Sequence, residues 1–205
     1  MKYCAAGFHA FVLTYSIAPA GWPAACCELS KAIAYVRSIA AEHHIQKDKI
    51  VVCGFSAGGH LAASIGVHYD KEIVKKFSGV TGEENRPDGM ILGYPVITDE
   101  EAKTHMGTME NFIAGREEAR PYFGLEHHVN ENTPKTFLWH TFADNGVPVE
   151  SSMRFAEALL QHHVPYELHI FPEGPHGLSL ANKSTGTSLP AVQPWIDLSI
   201  TWLEN

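Results

Sequence analysis

The chain reads as an α/β protein, a mostly parallel sheet with helices on both faces. Three observations predict this. Short apolar runs rich in Val, Ile, Phe and Trp alternate along the chain with longer segments of helical periodicity. The runs are mostly apolar, with polar residues such as Glu167 and His169 among them, and strands alternating with helices imply a parallel sheet covered on both faces. The 205 residues, 45% hydrophobic and 19% charged, suffice to bury one core, and no repeat or linker divides them. Residues 1–205 therefore read as a single domain.

In chain order, residues 7–15 (GFHAFVLTY) read as a buried strand, preceded by the last turn of a helix that starts upstream of this chain. Residues 16–22 are loop. Pro23 to His44 reads as a long helix: Ala25, Leu29, Ala32, Ile33, Val36, Ile39 and Ala40 recur near a 3.6-residue period, and Pro23 suits a first helical turn. Residues 49–53 (KIVVC) form a second strand and the small residues from Ala57 to Val67 a packed helix. Further strands are expected at 90–96 (MILGYPV), 136–140 (TFLWH) and 166–171 (YELHIF). An amphipathic helix spans 148–163 and a last helix 193–203. Residues 99–133 are polar and irregular, open on three acids in a row, and read as a cap-like loop-and-helix insertion over a site.

Composition narrows the function. The net charge is −8 with His neutral, and no basic cluster exceeds the pair Lys75–Lys76, so a nucleic-acid partner is not expected. No apolar run approaches the ~18 residues of a bilayer span, so no membrane partner is expected either. The start of the chain lacks the basic residues and apolar core of a signal peptide. The four cysteines, Cys4, Cys26, Cys27 and Cys53, fit neither a zinc pattern nor a disulfide framework, and free thiols point to the cytoplasm.

The chemistry concentrates at Gly54-Phe55-Ser56-Ala57-Gly58, a G-x-S-x-G between a buried strand and a helix of small residues. A turn this sharp crowds the backbone, and glycine on both sides removes the Cβ atoms that would clash. Ser56 is then held with its hydroxyl exposed beside a helix N-terminus, which favours developing negative charge. A serine hydroxyl needs a base, and the base an orienting acid. Asp144 follows the strand at 136–140, and His176 follows the strand at 166–171 in the run Pro172-Glu173-Gly174-Pro175-His176-Gly177. These loops and that of Ser56 leave the carboxyl ends of strands, where open α/β sheets place their sites. Asp99 and Asp197 compete for the acid role. The plainer alternatives are a structural serine in a tight turn, an Asx-turn at Asp144 and a carbonyl-capping His176.

Other residues carry less. Of the 13 His, the pairs 43–44, 127–128 and 162–163 point apart on a helix and do not make an i, i+4 metal pair, so they read as solvated or half-buried. His60 reads as a packing residue, and His140 as structural or substrate-contacting. The Met, Phe and Tyr residues from Met106 to Phe123 read as pocket wall or core.

The segments AGFHAFVLTYSIAP, CGFSAGGHLAAS, GYPVIT, FLWHTFADNGVPVE and ELHIFPEGPHGLSLA span most of the chain. With them the sequence resembles the α/β-hydrolase superfamily, and within it the bacterial branch described as acetyl-xylan or feruloyl esterase-like. The resemblance implies Ser56 as nucleophile, Asp144 as orienting acid, His176 as base and the Ala57 N–H as oxyanion donor. It also implies hydrolysis of a small-molecule ester, including short acyl esters of carbohydrates, with no metal and no organic cofactor.

The family's fold opens with further strands and a His-Gly-Gly-type loop that supplies a second oxyanion donor, and no such motif precedes Gly7. The sequence is therefore expected to be N-terminally incomplete, from truncation or a misplaced start codon, with activity impaired by the missing loop. An unpaired sheet edge would let two copies pair, so a homo-oligomer is among the expected partners. Two further functions stay open: amide cleavage by the same machinery, and a catalytically weak domain acting as a binding module.

Overall fold

The computed structural model describes residues 2–205. Four strands, β1 (Val51–Phe55), β2 (Gly89–Gly93), β3 (Thr136–Thr141) and β4 (Tyr166–Phe171), form one sheet in the order β1-β2-β3-β4. Every neighbouring pair is parallel, with Cys53 opposite Ile91, Ile91 opposite Phe137 and Phe137 opposite Glu167. All residues of β2 and β3 are buried, whereas the outer strands β1 and β4 are partly exposed. This is the pattern expected when helices cover both faces of a parallel sheet.

The two-residue period of a strand divides the core in two. Met90, Leu92 and Leu138 face a cluster with Trp22, Cys26, Leu61, Ile65 and Phe155, supplied by α2 (Ala24–Ser38), α3 (Ala57–His68), α4 (Glu72–Ser78) and α6 (Glu150–Gln161). Ile91, Phe137 and Trp139 face the other side, against Trp195 and Ile196 of α7 (Trp195–Glu204), with Tyr3 of the short α1 (Lys2–Ala5) packed alongside. Trp139 stacks on Trp195 with ring centroids 4.8 Å apart.

Residues 99–133 contain α5 (Met106–Ile113) and three short 3-10 turns at 101–103, 117–122 and 125–128. Helix α3 holds this segment by one face. His60, Ser64 and His68 recur every four residues and so line up. His60 Nε2 donates to the Phe123 carbonyl (3.1 Å) and His68 Nε2 to the Tyr122 carbonyl (3.0 Å). Both imidazoles are buried, and the desolvation of the charged form pushes them down to about 4 and about 3.

Two expectations fail. The run 7–15 is not a strand: no ladder forms there, Phe11 is 56% exposed and Val12 is 95% exposed. Strand-forming side chains do not make a strand without a neighbour to hydrogen-bond, and none pairs with this run among the described residues. The helix expected over 23–44 ends at Ser38 although Ile39 and Ala40 keep its period. There the Ser38 hydroxyl donates to the Tyr35 carbonyl (2.7 Å), competing with the helical ladder. Helix α4 has no counterpart in the sequence reading. Its signals are Glu72 in the first turn, Lys75 and Lys76 in the last, and Gly79 closing it at φ 73°.

Candidate active site

Strand β1 delivers the chain to Ser56 and α3 leaves it one residue later. Ser56 adopts φ 53° and ψ −123°, a conformation disfavoured for any residue with a Cβ. Its surroundings enforce this. The Ser56 N–H donates to the Gly93 carbonyl (3.0 Å), and the Ser56 carbonyl accepts from His60 (3.0 Å) and Val96 (3.3 Å). A Cβ on Gly54 would lie 2.1 Å from the Gly58 carbonyl oxygen, and one on Gly59 would lie 2.8 Å from Pro95 Cβ. The turn closes only because both positions are glycine.

The loop after β4 brings His176 over the serine. His176 Nε2 lies 2.8 Å from Ser56 Oγ, and its Nδ1 lies 2.7 Å from Asp144 Oδ2, in the loop after β3. A carboxylate can only accept, so Nδ1 carries the hydrogen and Nε2 is left to accept the Ser56 O–H. The Thr141 hydroxyl donates to the Gly174 carbonyl (2.8 Å) and ties the two loops together. The Tyr94 ring meets His176 edge-on at 5.0 Å and its hydroxyl accepts from the Ser179 N–H (2.9 Å). A Cβ on Gly146 would approach His176 Cβ and Cγ to 2.9 Å, so glycine there leaves the imidazole its place.

Asp144 is buried yet charged. Burial raises the cost of its negative charge, but four donors outweigh that cost and hold its carboxyl well below the usual carboxylate range. They are His140, His176 and the backbone N–H groups of Val147 (2.9 Å) and Gly146 (2.8 Å), both of which reach Oδ1. His140 is fully buried, with Nε2 3.3 Å from Asp144 Oδ2 and 3.0 Å from the Val147 carbonyl, and Nδ1 2.8 Å from Ser152 Oγ. Full burial and these contacts fit the structural role expected for it rather than a contact with substrate. Its position at the end of a strand, four residues before Asp144, is the only hint the sequence offers.

The other candidates for the acid lie elsewhere. Asp99 Oδ1 sits 3.3 Å from His127 Nε2, and Asp197 is on α7 with no polar contact to His176. His60 is the packing residue it was read to be, stacked on Phe123 at 4.4 Å. Met109 and Phe123 are core, whereas Phe112 borders a half-open cleft of about 130 Å³. Ala57, Tyr15, Ile17, Trp22 and Leu61 also line that cleft. As the first residue of α3, Ala57 has an N–H with no intrahelical acceptor; it is the residue after Ser56 and borders the cleft, whose lining includes none of Ser56, Asp144 and His176. A larger hollow of about 270 Å³ lies between α1 and residues 180–197 and includes none of Ser56, Asp144 and His176. Among the described residues no helix is long and apolar enough to cross a membrane.

Comparison with known proteins places the chain in a family. The BD-FAE family model matches residues 1–159. Endo-1,4-beta-xylanase B of Butyrivibrio fibrisolvens is 38% identical over 192 residues, covering 89% of this chain and 29% of that protein. Acetylxylan esterase of Xylanibacter ruminicola is 26% identical over 178 residues, covering 83% of this chain and 34% of the relative. The chain thus spans about a third of the length of the curated relatives it matches. Among solved structures, the acetyl ester-xyloside bifunctional hydrolase of Caldicellulosiruptor lactoaceticus superposes with a TM-score of 0.84 at 37% identity, covering 99% of this chain and 73% of the other. Carboxylesterase Cest-2923 of Lactobacillus plantarum does so with a TM-score of 0.86 at 29% identity, covering 99% and 76%. This chain belongs to the BD-FAE family, in the esterase-like branch of the α/β-hydrolases.

Proposed function

We propose that the chain is a serine hydrolase of carboxylic esters, with short acyl esters of carbohydrates as its substrates. The observation that carries this reading is the unbroken hydrogen-bond path from Ser56 Oγ through His176 to Asp144, at 2.8 and 2.7 Å. In this mechanism Ser56 Oγ attacks the ester carbonyl while His176 Nε2 takes its proton. Asp144 holds the imidazole in the required tautomer and stabilises the imidazolium. The tetrahedral oxyanion forms beside the Ala57 N–H, a donor worth about 2.7–4 kcal/mol in comparable sites. Collapse expels the alcohol, which receives the proton from His176. The same imidazole then activates water to release the acyl group from Ser56.

The carbohydrate part of the proposal rests on relatives named for acetylxylan and xyloside hydrolysis. The cleft that Ala57 borders is small, about 130 Å³, and lined by both apolar and polar side chains, which fits a short acyl group better than a bulky one. Four cysteines without disulfides fit a reducing compartment such as the cytoplasm. Wild-type protein is expected to hydrolyse p-nitrophenyl acetate and acetylated xylo-oligosaccharides, and Ser56→Ala to lose on the order of 10³-fold or more in kcat. Equal turnover by the two proteins would reject the mechanism. Matched ester and amide substrates test the chemistry itself, and faster cleavage of the amide would make the protein a peptidase-like hydrolase instead.

A further inference from the structure

We propose that Asp99, Glu126 and His127 form a binding site for one divalent metal ion of the zinc class, which clamps the two ends of the segment 99–133. One imidazole nitrogen and two carboxylates offer ligand atoms that all lie within 4.8 Å of one another. His127 Nε2 is 3.3 Å from Asp99 Oδ1 and 3.9 Å from Glu126 Oε1. Ligands held at about 2.0–2.2 Å in a tetrahedral shell stand roughly 3.2–3.6 Å apart, so small side-chain adjustments close all three on one centre.

Glu126 is the observation that asks for an ion. Its side chain is only 8% exposed, and both carboxylate oxygens are buried without a hydrogen-bond partner. Buried carboxylates ordinarily have hydrogen bonds or a cation. The basic side chains of this segment are engaged elsewhere: Arg154 and Lys103 with Glu100, Arg120 with Glu117, and His128 with the Pro121 carbonyl. Among the described residues His127 is the only basic group within ion-pair distance of Glu126. A metal ion would give the Glu126 oxygens a partner and take a nitrogen lone pair of His127 as a further ligand.

The backbone is arranged for this closeness. A Cβ on Gly124 would come within 2.9 Å of Asp99 Cγ and 2.8 Å of His127 Cδ2. The Leu125 N–H donates to the Ile97 carbonyl (3.1 Å), which sets the two chain segments side by side. The imidazole favours zinc over calcium, which prefers oxygen ligands throughout. The exposed side of His127 leaves an entry path and room for a water ligand. None of the three residues bonds to Ser56, His176 or Asp144, so the ion is structural and independent of the hydrolase reading. Asp99 and His127 are 28 residues apart, and between them lies α5, whose Phe112 walls the cleft.

The test titrates chelator-treated protein with ZnCl₂ in a calorimeter. Wild type is expected to bind one zinc ion per chain with a Kd on the order of micromolar or tighter, and calcium at least ~10-fold more weakly. Glu126→Gln and His127→Gln are each expected to weaken zinc at least ~10-fold, whereas His162→Gln, in a different histidine pair, leaves the affinity unchanged. His127 is exposed, so its substitution does not threaten folding. No saturable zinc binding to wild type would overturn the proposal. So would zinc binding that is equal in wild type, Glu126→Gln and His127→Gln, which means an adventitious ion only. Calcium binding tighter than zinc would overturn the choice of ion.

Discussion

At φ 53° the backbone of Ser56 carries strain on the order of 1–3 kcal/mol, and glycine at positions 54 and 59 lets the neighbouring chain approach closely enough to hold it. Gly54→Ala would press a methyl group against the Gly58 carbonyl, which cannot retreat without unwinding the first turn of α3. This variant should lose about 3 kcal/mol or more of stability in urea unfolding, and one that unfolds at the wild-type midpoint would show that the turn tolerates a Cβ. His140 acts differently, because it touches Asp144 and not the cleft. His140→Gln should lower kcat about 10- to 100-fold with KM little changed, since a hydrogen bond to a buried charge is worth about 1.5–3 kcal/mol. An unaltered kcat would reduce His140 to packing. Ser56, Asp144 and His176 are visible in the sequence because glycine punctuation and strand ends mark them. His140 is visible only as a residue at a strand end, because nothing in the sequence turns it toward Asp144, and the trio of Asp99, Glu126 and His127 is not visible, because only tertiary folding brings Asp99 to residues 126–127.

Among the elements, the inner strands β2 and β3 are legible because burial on both faces demands continuous apolar runs, whereas the partly exposed β4 falls on its expected residues although Glu167 and His169 interrupt the run. The run 7–15 carries the same composition and forms no ladder, because composition reports a preference whereas pairing depends on the neighbour. Helix α3 has its own legible consequence. In the unfolded chain His60 and His68 take up protons near pH 6.5, whereas the folded protein resists protonation until about 4 and about 3. Their contribution is therefore complete above pH ~6.5 and is lost as pH falls below it, at about 1.4 kcal/mol per pH unit for each imidazole. Asp144, held below the ordinary carboxylate range, contributes fully above that range and loses its contribution only in stronger acid. Urea midpoints should accordingly fall steadily from pH 6.5 to 4.5, with a shallower slope in His60→Gln or His68→Gln. A midpoint independent of pH over this window would contradict the neutral buried state of both rings.

For the molecule as a whole, the three side chains meet because three loops leave the same end of a parallel sheet. Residues 56, 144 and 176 need no mutual attraction in the chain; the order β1-β2-β3-β4 and the uniform strand direction bring their loops to one rim. The two faces of the sheet supply rigidity, with α3 fixing the serine from one side and Trp195 packing behind Trp139 and Phe55 from the other. The central claim is that this rim activates one hydroxyl. Its most direct test is reaction with a fluorophosphonate, followed by peptide mass spectrometry, in wild type, His176→Ala and Asp144→Asn. Wild type should gain one adduct, on the peptide that contains Ser56, and both variants should label on the order of 10³-fold more slowly. An adduct on another residue, or a His176→Ala protein that labels as fast as wild type, would contradict it.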